Sequence, residues 1–336
     1  MSGMTKVCVD AMGGDNAPGE IVRGAVDVLN RNDNIFVILV GRTEAIEQEL
    51  LKYDSFPKDR MQLVDATEVI ETAEHPVNAI KKKKDSSMVV GLKMLKDHEA
   101  DAFVSAGNSG ALLVGGQLVA GRIPGVSRAP FAPLIPTEKG VSLLVDSGAN
   151  VDVRPEMLVS FAKMGTVYMR DVMKIKSPTV GIVNIGAEEE KGNALVKETF
   201  PLLKAEKSIN FTGSVEARDI ASGASDVIVC DAFVGNVVLK MYEGFAKAML
   251  SALKRGFKSS FKSKLGAALA LPSLKKTLKN YDVTRYGGAP LLGINGLVVK
   301  THGSAKAVEV RNTVLQCVTF RENNVKDSLT EILKEV

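Results

Sequence analysis

Ala102-Phe-Val-Ser-Ala-Gly-Asn-Ser-Gly-Ala-Leu-Leu-Val-Gly-Gly-Gln-Leu118 passes from an apolar β run, through a Gly/Ser loop, straight into an apolar helical pattern. The same succession recurs along the chain. Apolar runs at Lys6–Asp10, Ile35–Val40, Ser142–Asp146, Thr179–Ile185 and Asp226–Cys230 alternate with longer helical patterns at Ser86–Lys96, Arg154–Lys174 and Val237–Lys254. Strand, loop and helix repeated in this way predict a three-layer α/β/α architecture with a mostly parallel sheet covered on both faces. Three prolines and a glycine between Arg122 and Pro133 interrupt regular structure and mark a boundary.

The 336 residues carry 43 Lys+Arg against 39 Asp+Glu, with 45% hydrophobic and 24% charged residues. That balance belongs to a folded globular chain and excludes disordered or collagen-like structure. Cys8, Cys230 and Cys317 are too few and too scattered for a disulfide scaffold, which favours a reducing, cytoplasmic setting. The N-terminus has no long apolar signal region, and no stretch is apolar enough to span a bilayer, so any membrane contact is expected to be peripheral. His75, His98 and His302 have no ligand-spaced partners, and neither GxGxxG nor GxxxxGK[ST] occurs in a strand-loop-helix context. No metal, cofactor or nucleic acid is therefore expected.

The mild net charge conceals a polarised molecule. Between Gly244 and Tyr281 nine basic residues and no acidic one occur, leaving the rest of the chain net acidic. Within this stretch Phe257, Phe261, Leu265 and Leu269 follow at four-residue spacing, the pattern of one helix face, with Lys258 and Lys262 off it. Such a segment fits either an anionic lipid interface or a buried helix contact. The run Lys81–Lys84 is either a solvated face or a dock for an acidic partner.

In α/β sheets, ligands gather beyond the carboxyl ends of the strands. Five glycine-bearing loops occupy such places. Ser105-Ala-Gly-Asn-Ser-Gly-Ala111 is the best anion cradle: Gly107 and Gly110 permit close backbone approach, Ser105, Asn108 and Ser109 supply donors, and a helix opens behind them. Asp10, Gly13, Gly14 and Asp15 form a second loop. Lys191 lies in a third, Asp231 and Asn236 in a fourth, and His302 follows the fifth. Lysine, asparagine and histidine are donors suited to a bound anion or a developing oxyanion, and they serve equally as a surface charge, a helix cap and a turn residue. A Cys–His302 nucleophile pair is a further option.

Taken together these loops resemble the bacterial acyl-acyl carrier protein:phosphate acyltransferase family, the fatty acid/phospholipid synthesis proteins. The resemblance runs from about Val7 to about Val314. It is carried by Asp10-Ala-Met-Gly-Gly-Asp15, Lys84-Asp-Ser-Ser-Met88, the Ser105–Ala111 loop, Asn184-Ile-Gly186 with Lys191-Gly192, Asp231 with Gly235-Asn236, Tyr286-Gly-Gly-Ala-Pro-Leu-Leu-Gly293 and His302-Gly-Ser304. The chain departs from the family pattern at Ala217, Ala232 and Val234, and carries an extra Ala187.

The resemblance implies a fold related to phosphotransacetylases and to isocitrate and isopropylmalate dehydrogenases. Two intertwined α/β parts would flank a cleft, 1–130 with 285–336 forming one and 131–284 the other, with a protruding helical pair within 237–280. It implies a homodimer that converts acyl-acyl carrier protein and inorganic phosphate to acyl phosphate and free carrier protein, early in phospholipid synthesis. Lys191 and Asn236 would be the catalytic pair. Phosphate would lie against Ser105, Gly107, Asn108, Ser109, Gly110 and Lys191. Asp10, Gly13, Gly14, Asp15, Asp231 and His302 would complete the cleft. Phe257, Phe261, Leu265, Leu269, Lys258 and Lys262 would meet an anionic membrane surface, where a downstream membrane glycerol-3-phosphate acyltransferase takes the product. The alternatives are a phosphotransacetylase-like enzyme using acyl-coenzyme A, and a non-catalytic scaffold that binds carrier protein at the membrane.

Overall fold

The computed structural model describes residues 3–334. The chain begins with β1 (Thr5–Asp10), α1 (Gly19–Arg31), β2 (Ile35–Gly41), α2 (Thr43–Leu50) and β3 (Met61–Asp65), followed by α3 (Pro76–Lys82), α4 (Ser87–Lys96), β4 (Ala102–Ser105) and α5 (Ser109–Gly115). β1 and β4 are buried almost throughout, the burial of parallel strands covered on both faces.

A second series comprises β5 (Leu134–Thr137), β6 (Gly140–Val145), α6 (Pro155–Asp171), β7 (Thr179–Asn184), α7 (Ala194–Ala205), β8 (Asn210–Glu216), α8 (Ala217–Ile220) and β9 (Val227–Val229). After α9 (Ala232–Lys258) and α10 (Phe261–Asn280), the chain closes with β10 (Ala289–Leu291), β11 (Leu297–Lys300), α11 (Ala307–Glu322) and α12 (Val325–Lys334).

These strands build two sheets, ordered β10-β11-β4-β1-β2-β3 and β5-β6-β9-β7-β8. Each is parallel except for one antiparallel edge strand, β10 in the first and β5 in the second. The first sheet therefore needs residues from both ends of the chain, because β11 pairs with β4.

The sheets are stitched together at Phe131. Its backbone bridges Leu291, its N–H donates to the Asp146 carboxylate, and its carbonyl accepts from Ser147 N at 3.0 Å. One hydrophobic core runs through both parts. It joins α1 and α11 on the first sheet to α6 on the second, with α12 packed against α6. Smaller clusters fill the opposite face of each sheet.

α9 packs against this body through Val234, Val238, Leu239 and Tyr242 and leaves it beyond that point. Only Ala232 and Gly235 of its 27 residues are buried, and α10 folds back against it as a hairpin. The helical stripe read through Phe257, Phe261, Leu265 and Leu269 is corrected here, because the chain turns at Ser259–Ser260. The Ser260 hydroxyl caps α10 by accepting from Ser263 N at 3.0 Å. Phe257 consequently faces the groove between the helices, while Phe261, Leu265 and Leu269 stand on α10 at 82%, 58% and 78% exposure. No helix among the described residues is long and apolar enough to cross a membrane.

Candidate active site

Register places three loops side by side. β1, β4 and β11 are adjacent and parallel, with Lys300 opposite Ser105, so the segments following Asp10, Ser105 and Lys300 all emerge at one edge. Asp10 is the buried hub. It accepts from Ser105 Oγ at 2.7 Å and from Met12 N at 3.1 Å, while burial pushes its carboxyl above the ordinary range.

Gly13 lies so close that a Cβ would stand 2.4 Å from Asp10 Oδ2 and 2.8 Å from Gly107 N. Gly14 has φ +96° and faces the Gly303 carbonyl, and Asp15 N donates to that carbonyl at 2.7 Å. The loop carrying Asp15 is thus locked against the loop carrying His302.

The Ser105–Ala111 segment divides its labour differently from the sequence reading. Ser105 Oγ is committed to Asp10 and accepts from Gly107 N at 3.0 Å. Asn108 caps α5 through Ala111 N at 2.9 Å, and its Nδ2 donates to the Glu71, Thr72 and Glu74 carbonyls. Gly110 makes room for Pro76. The side chains of Ser105 and Asn108 and the space at Gly110 are spent on the scaffold, leaving Gly107 and Ser109 to face the cavity. Lys83, from the four-lysine run, also goes into scaffolding: it pairs with Glu74 and donates to the Val69 carbonyl, whereas Lys81 and Lys82 stay exposed.

The second sheet presents two loops to the same cavity. Asp146, at the end of β6, is fully buried and accepts five N–H bonds, from Phe131, Gly148, Ala149 and both the backbone and side chain of Asn150. This fixes the Ser147–Gly148 turn at the cavity wall. After β9, Asp231 caps α9 by accepting from Val234 N at 2.9 Å. Gly235 then lets the helix touch the strand: a Cβ there would lie 1.8 Å from the Asp146 carbonyl. That contact sets Asn236 on the first turn of α9, facing the cavity. Val234 packs into the apolar cluster of Ile135, Leu144 and Ile228, and Ala232 is buried with its N–H on the Asn150 carbonyl, so both departures from the family pattern lie away from the opening.

Between the two sheets lies a cavity of about 600 Å³. Asp15, Gly107, Ser109 and His302 reach it from the first sheet, Ser147 and Asn236 from the second. Lys191 is not among its lining residues. It sits on the exposed loop after β7, half-exposed, with its ammonium 3.0 Å from Glu188, whose carboxyl it holds below the ordinary range. His302 is occupied by Ser304, with Nδ1 and the hydroxyl 2.8 Å apart. The thiol option falls away: Cys8, Cys230 and Cys317 are all buried, and burial raises each thiol well above its ordinary pKa. Among the described residues no cluster of three or more His, Cys, Asp or Glu is arranged to hold a metal ion.

The sequence reading missed two contributors. The Asp146–Asn150 loop gives the same signal as the others, a glycine just beyond an apolar strand. Lys300 ends the apolar run Leu-Val-Val, so its long side chain is carried into the interior. It lines the cavity, donates to the Ala106 carbonyl at 3.0 Å and to the Thr301 carbonyl, and burial lowers its pKa to about 8.

Comparison with known proteins gives a coherent picture. The model of the family described as "Fatty acid synthesis protein" matches residues 5–328. A phosphate acyltransferase of Alkaliphilus oremlandii is 50% identical over 97% of this chain and 96% of its own length. One from Clostridium perfringens is 48% identical with the same coverage. Among solved structures, the EutD phosphotransacetylase from Staphylococcus aureus superposes with a TM-score of 0.60 over 95% of this chain and 94% of its own, at 15% identity. The fold is thus shared with a phosphotransacetylase.

Proposed function

The chain belongs to the fatty acid synthesis protein family, and from that membership we propose that it is a phosphate acyltransferase acting on acyl-acyl carrier protein, releasing acyl phosphate and free carrier protein for phospholipid synthesis. The observation that carries the reading is the single cavity onto which Gly107, Ser109 and Asn236 converge from two sheets. Phosphate is nucleophilic at neutral pH, so positioning it beside a thioester replaces a covalent enzyme intermediate.

An oxygen of the phosphate dianion attacks the thioester carbonyl, and Asn236 donates to the oxyanion that forms. Collapse breaks the C–S bond. The proton carried by the phosphate leaves with the thiolate, giving acyl phosphate and a free thiol. Lys191 enters by exchanging partners: an exposed ion pair such as Lys191–Glu188 is worth at most about 1 kcal/mol, so a bound dianion competes for the ammonium.

Thiol release from palmitoyl-acyl carrier protein tests the reading. It is expected to require inorganic phosphate and to yield a hydroxamate with hydroxylamine, with palmitoyl-coenzyme A turning over more slowly. Thiol release without phosphate, or an isolable acyl-enzyme, sinks the scheme; equal or better turnover of the coenzyme A thioester favours a phosphotransacetylase-like enzyme.

The hairpin is the peripheral membrane contact. Phe261, Leu265 and Leu269 are exposed beside Lys258 and Lys262, which suits an anionic headgroup region above buried apolar side chains. Burying each large apolar side chain is worth about 1.5–3 kcal/mol, so Phe261→Glu with Leu265→Glu should weaken binding to anionic vesicles by about a hundredfold or more. Turnover of soluble substrate should be unchanged, and vesicle flotation alongside the thiol assay checks both.

A second copy of the chain covers the other bare face. Phe233, Val237, Met241 and Phe245 follow at four-residue spacing on α9 and are 55–69% exposed, an apolar stripe suited to a homodimer. Lys81, Lys82 and the hairpin lysines offer the acidic carrier protein a docking surface.

A further inference from the structure

We propose that Lys300 is the cation that anchors phosphate in the cleft: the residue lines the cavity, two of its ammonium N–H groups serve the Ala106 and Thr301 carbonyls, and a third is left to donate to the anion. The inference rests on the phosphate acyltransferase reading and deepens it. An ammonium has three donors and no acceptor, and carbonyl oxygens satisfy its hydrogen bonds without neutralising its charge. Among the described residues Lys300 makes no ion pair. The carboxylate of Asp10 is engaged by Ser105 and Met12, and Asp10 and Asp15 act on the lysine as attractive charges at longer range.

A mostly buried charge without a counter-ion is costly. The lowered pKa of about 8 is that cost expressed as proton affinity. A phosphate dianion in the cavity that Lys300 lines removes it, because it supplies both charge and acceptor. Lys191, half-exposed and hydrated, carries no comparable burial cost for the anion to remove and can only add to the anchoring.

The charged and titratable groups around Lys300 set the sign of the pH dependence. Asp10 on β1 and Asp15 on the following loop favour the ammonium, and Lys240 on α9 opposes it, while Glu243, His302 and Glu309 complete the cavity wall. Below about 8 the lysine is charged and phosphate binds; as pH rises through that value the free protein loses the cation and affinity falls. Phosphate becomes more fully dianionic as pH rises through that range, so its own titration does not produce the loss.

Isothermal titration of inorganic phosphate into intact wild type, Lys300→Met and Lys300→Arg tests this at about pH 7.5 and about pH 9.5. Wild type should lose about tenfold or more in affinity between the two. Lys300→Met should bind weakly at both, and Lys300→Arg, whose guanidinium stays charged, should recover affinity and lose the pH dependence. In turnover, Lys300→Met should raise KM for phosphate about tenfold and leave KM for the thioester unchanged, a split that a tether between loops would not produce. Phosphate affinity unaltered by Lys300→Met, or a wild-type affinity equal at both pH values, overturns the inference while phosphate-dependent thiol release still stands. Wild type that neither binds nor consumes phosphate overturns the function and the inference together. Should Lys300→Met fail to fold, the wild-type pH pair and Lys300→Arg decide alone.

Discussion

Asn236→Ala is expected to lower kcat by about a hundredfold or more, the cost of removing one donor from a developing oxyanion. The residue has the placement that such a role requires. It sits on the first turn of α9, its backbone held by the Asp231 cap and by the contact between Gly235 and the Asp146 carbonyl, and its side chain faces the cavity. Because the backbone that carries the donor is fixed before substrate arrives, little reorganisation of the helix is needed during the reaction, and the donor's loss should appear in kcat more than in KM. Asn236→Asp keeps the shape but sets a carboxylate against the oxyanion, so its loss should be at least as large. Steady-state thiol release with saturating phosphate checks both variants, and full kcat in Asn236→Ala removes the assigned role.

Gly235→Ala should be the most damaging single methyl group in the molecule. The added Cβ would stand 1.8 Å from the Asp146 carbonyl oxygen and 2.9 Å from its carbon, with Cys230 Sγ at 3.1 Å. Two of those atoms are backbone, and the strand they belong to is pinned by the five N–H bonds that converge on the Asp146 carboxylate. Neither side can yield cheaply. Overpacking of this kind costs about 3 kcal/mol or more, which in a chain of this length should lower Tm by about 4 °C or more. Activity should fall further than stability, since the helix start that carries Asn236 must shift. Gly244→Ala is the control: nothing lies within 4 Å of its Cβ position, and on an exposed helix it should stabilise by about 0.5–1 kcal/mol. Thermal unfolding of the two variants separates a steric effect from a general intolerance of alanine, and a wild-type Tm for Gly235→Ala would sink the account.

The sequence made the interior strands legible because burial on both faces writes a continuous apolar run, as at β1, β2 and β4. The edge strands had no such signature. β5 and β10 are three or four residues long and contain Pro136 and Pro290, and β8 alternates with polar residues because one face meets solvent. The loops at the strand ends were readable as a set, from glycines beyond apolar runs. Their division of labour was not. Nothing in Ser105-Ala-Gly-Asn-Ser tells that Ser105 serves Asp10 and that Asn108 holds three carbonyls of a loop more than thirty residues away. Lys300 escaped for a related reason, since only the pairing of β11 with β4 shows that the last residue of a short apolar strand opens into the cleft. At the hairpin, four-residue spacing carried the stripe across a turn that the Ser259–Ser260 pair, with its capping hydroxyl, had already announced.

The late return of β11 to β4 has a consequence for synthesis. On the ribosome β4 is complete roughly 190 residues before its partner exists, which at about 5–20 residues per second leaves one of its edges open for about 10–40 s. The unpaired edge of a largely apolar strand is a template for other nascent chains. The segment that closes it also delivers Lys300 and His302, so the edge is sealed and the cleft completed in the same event.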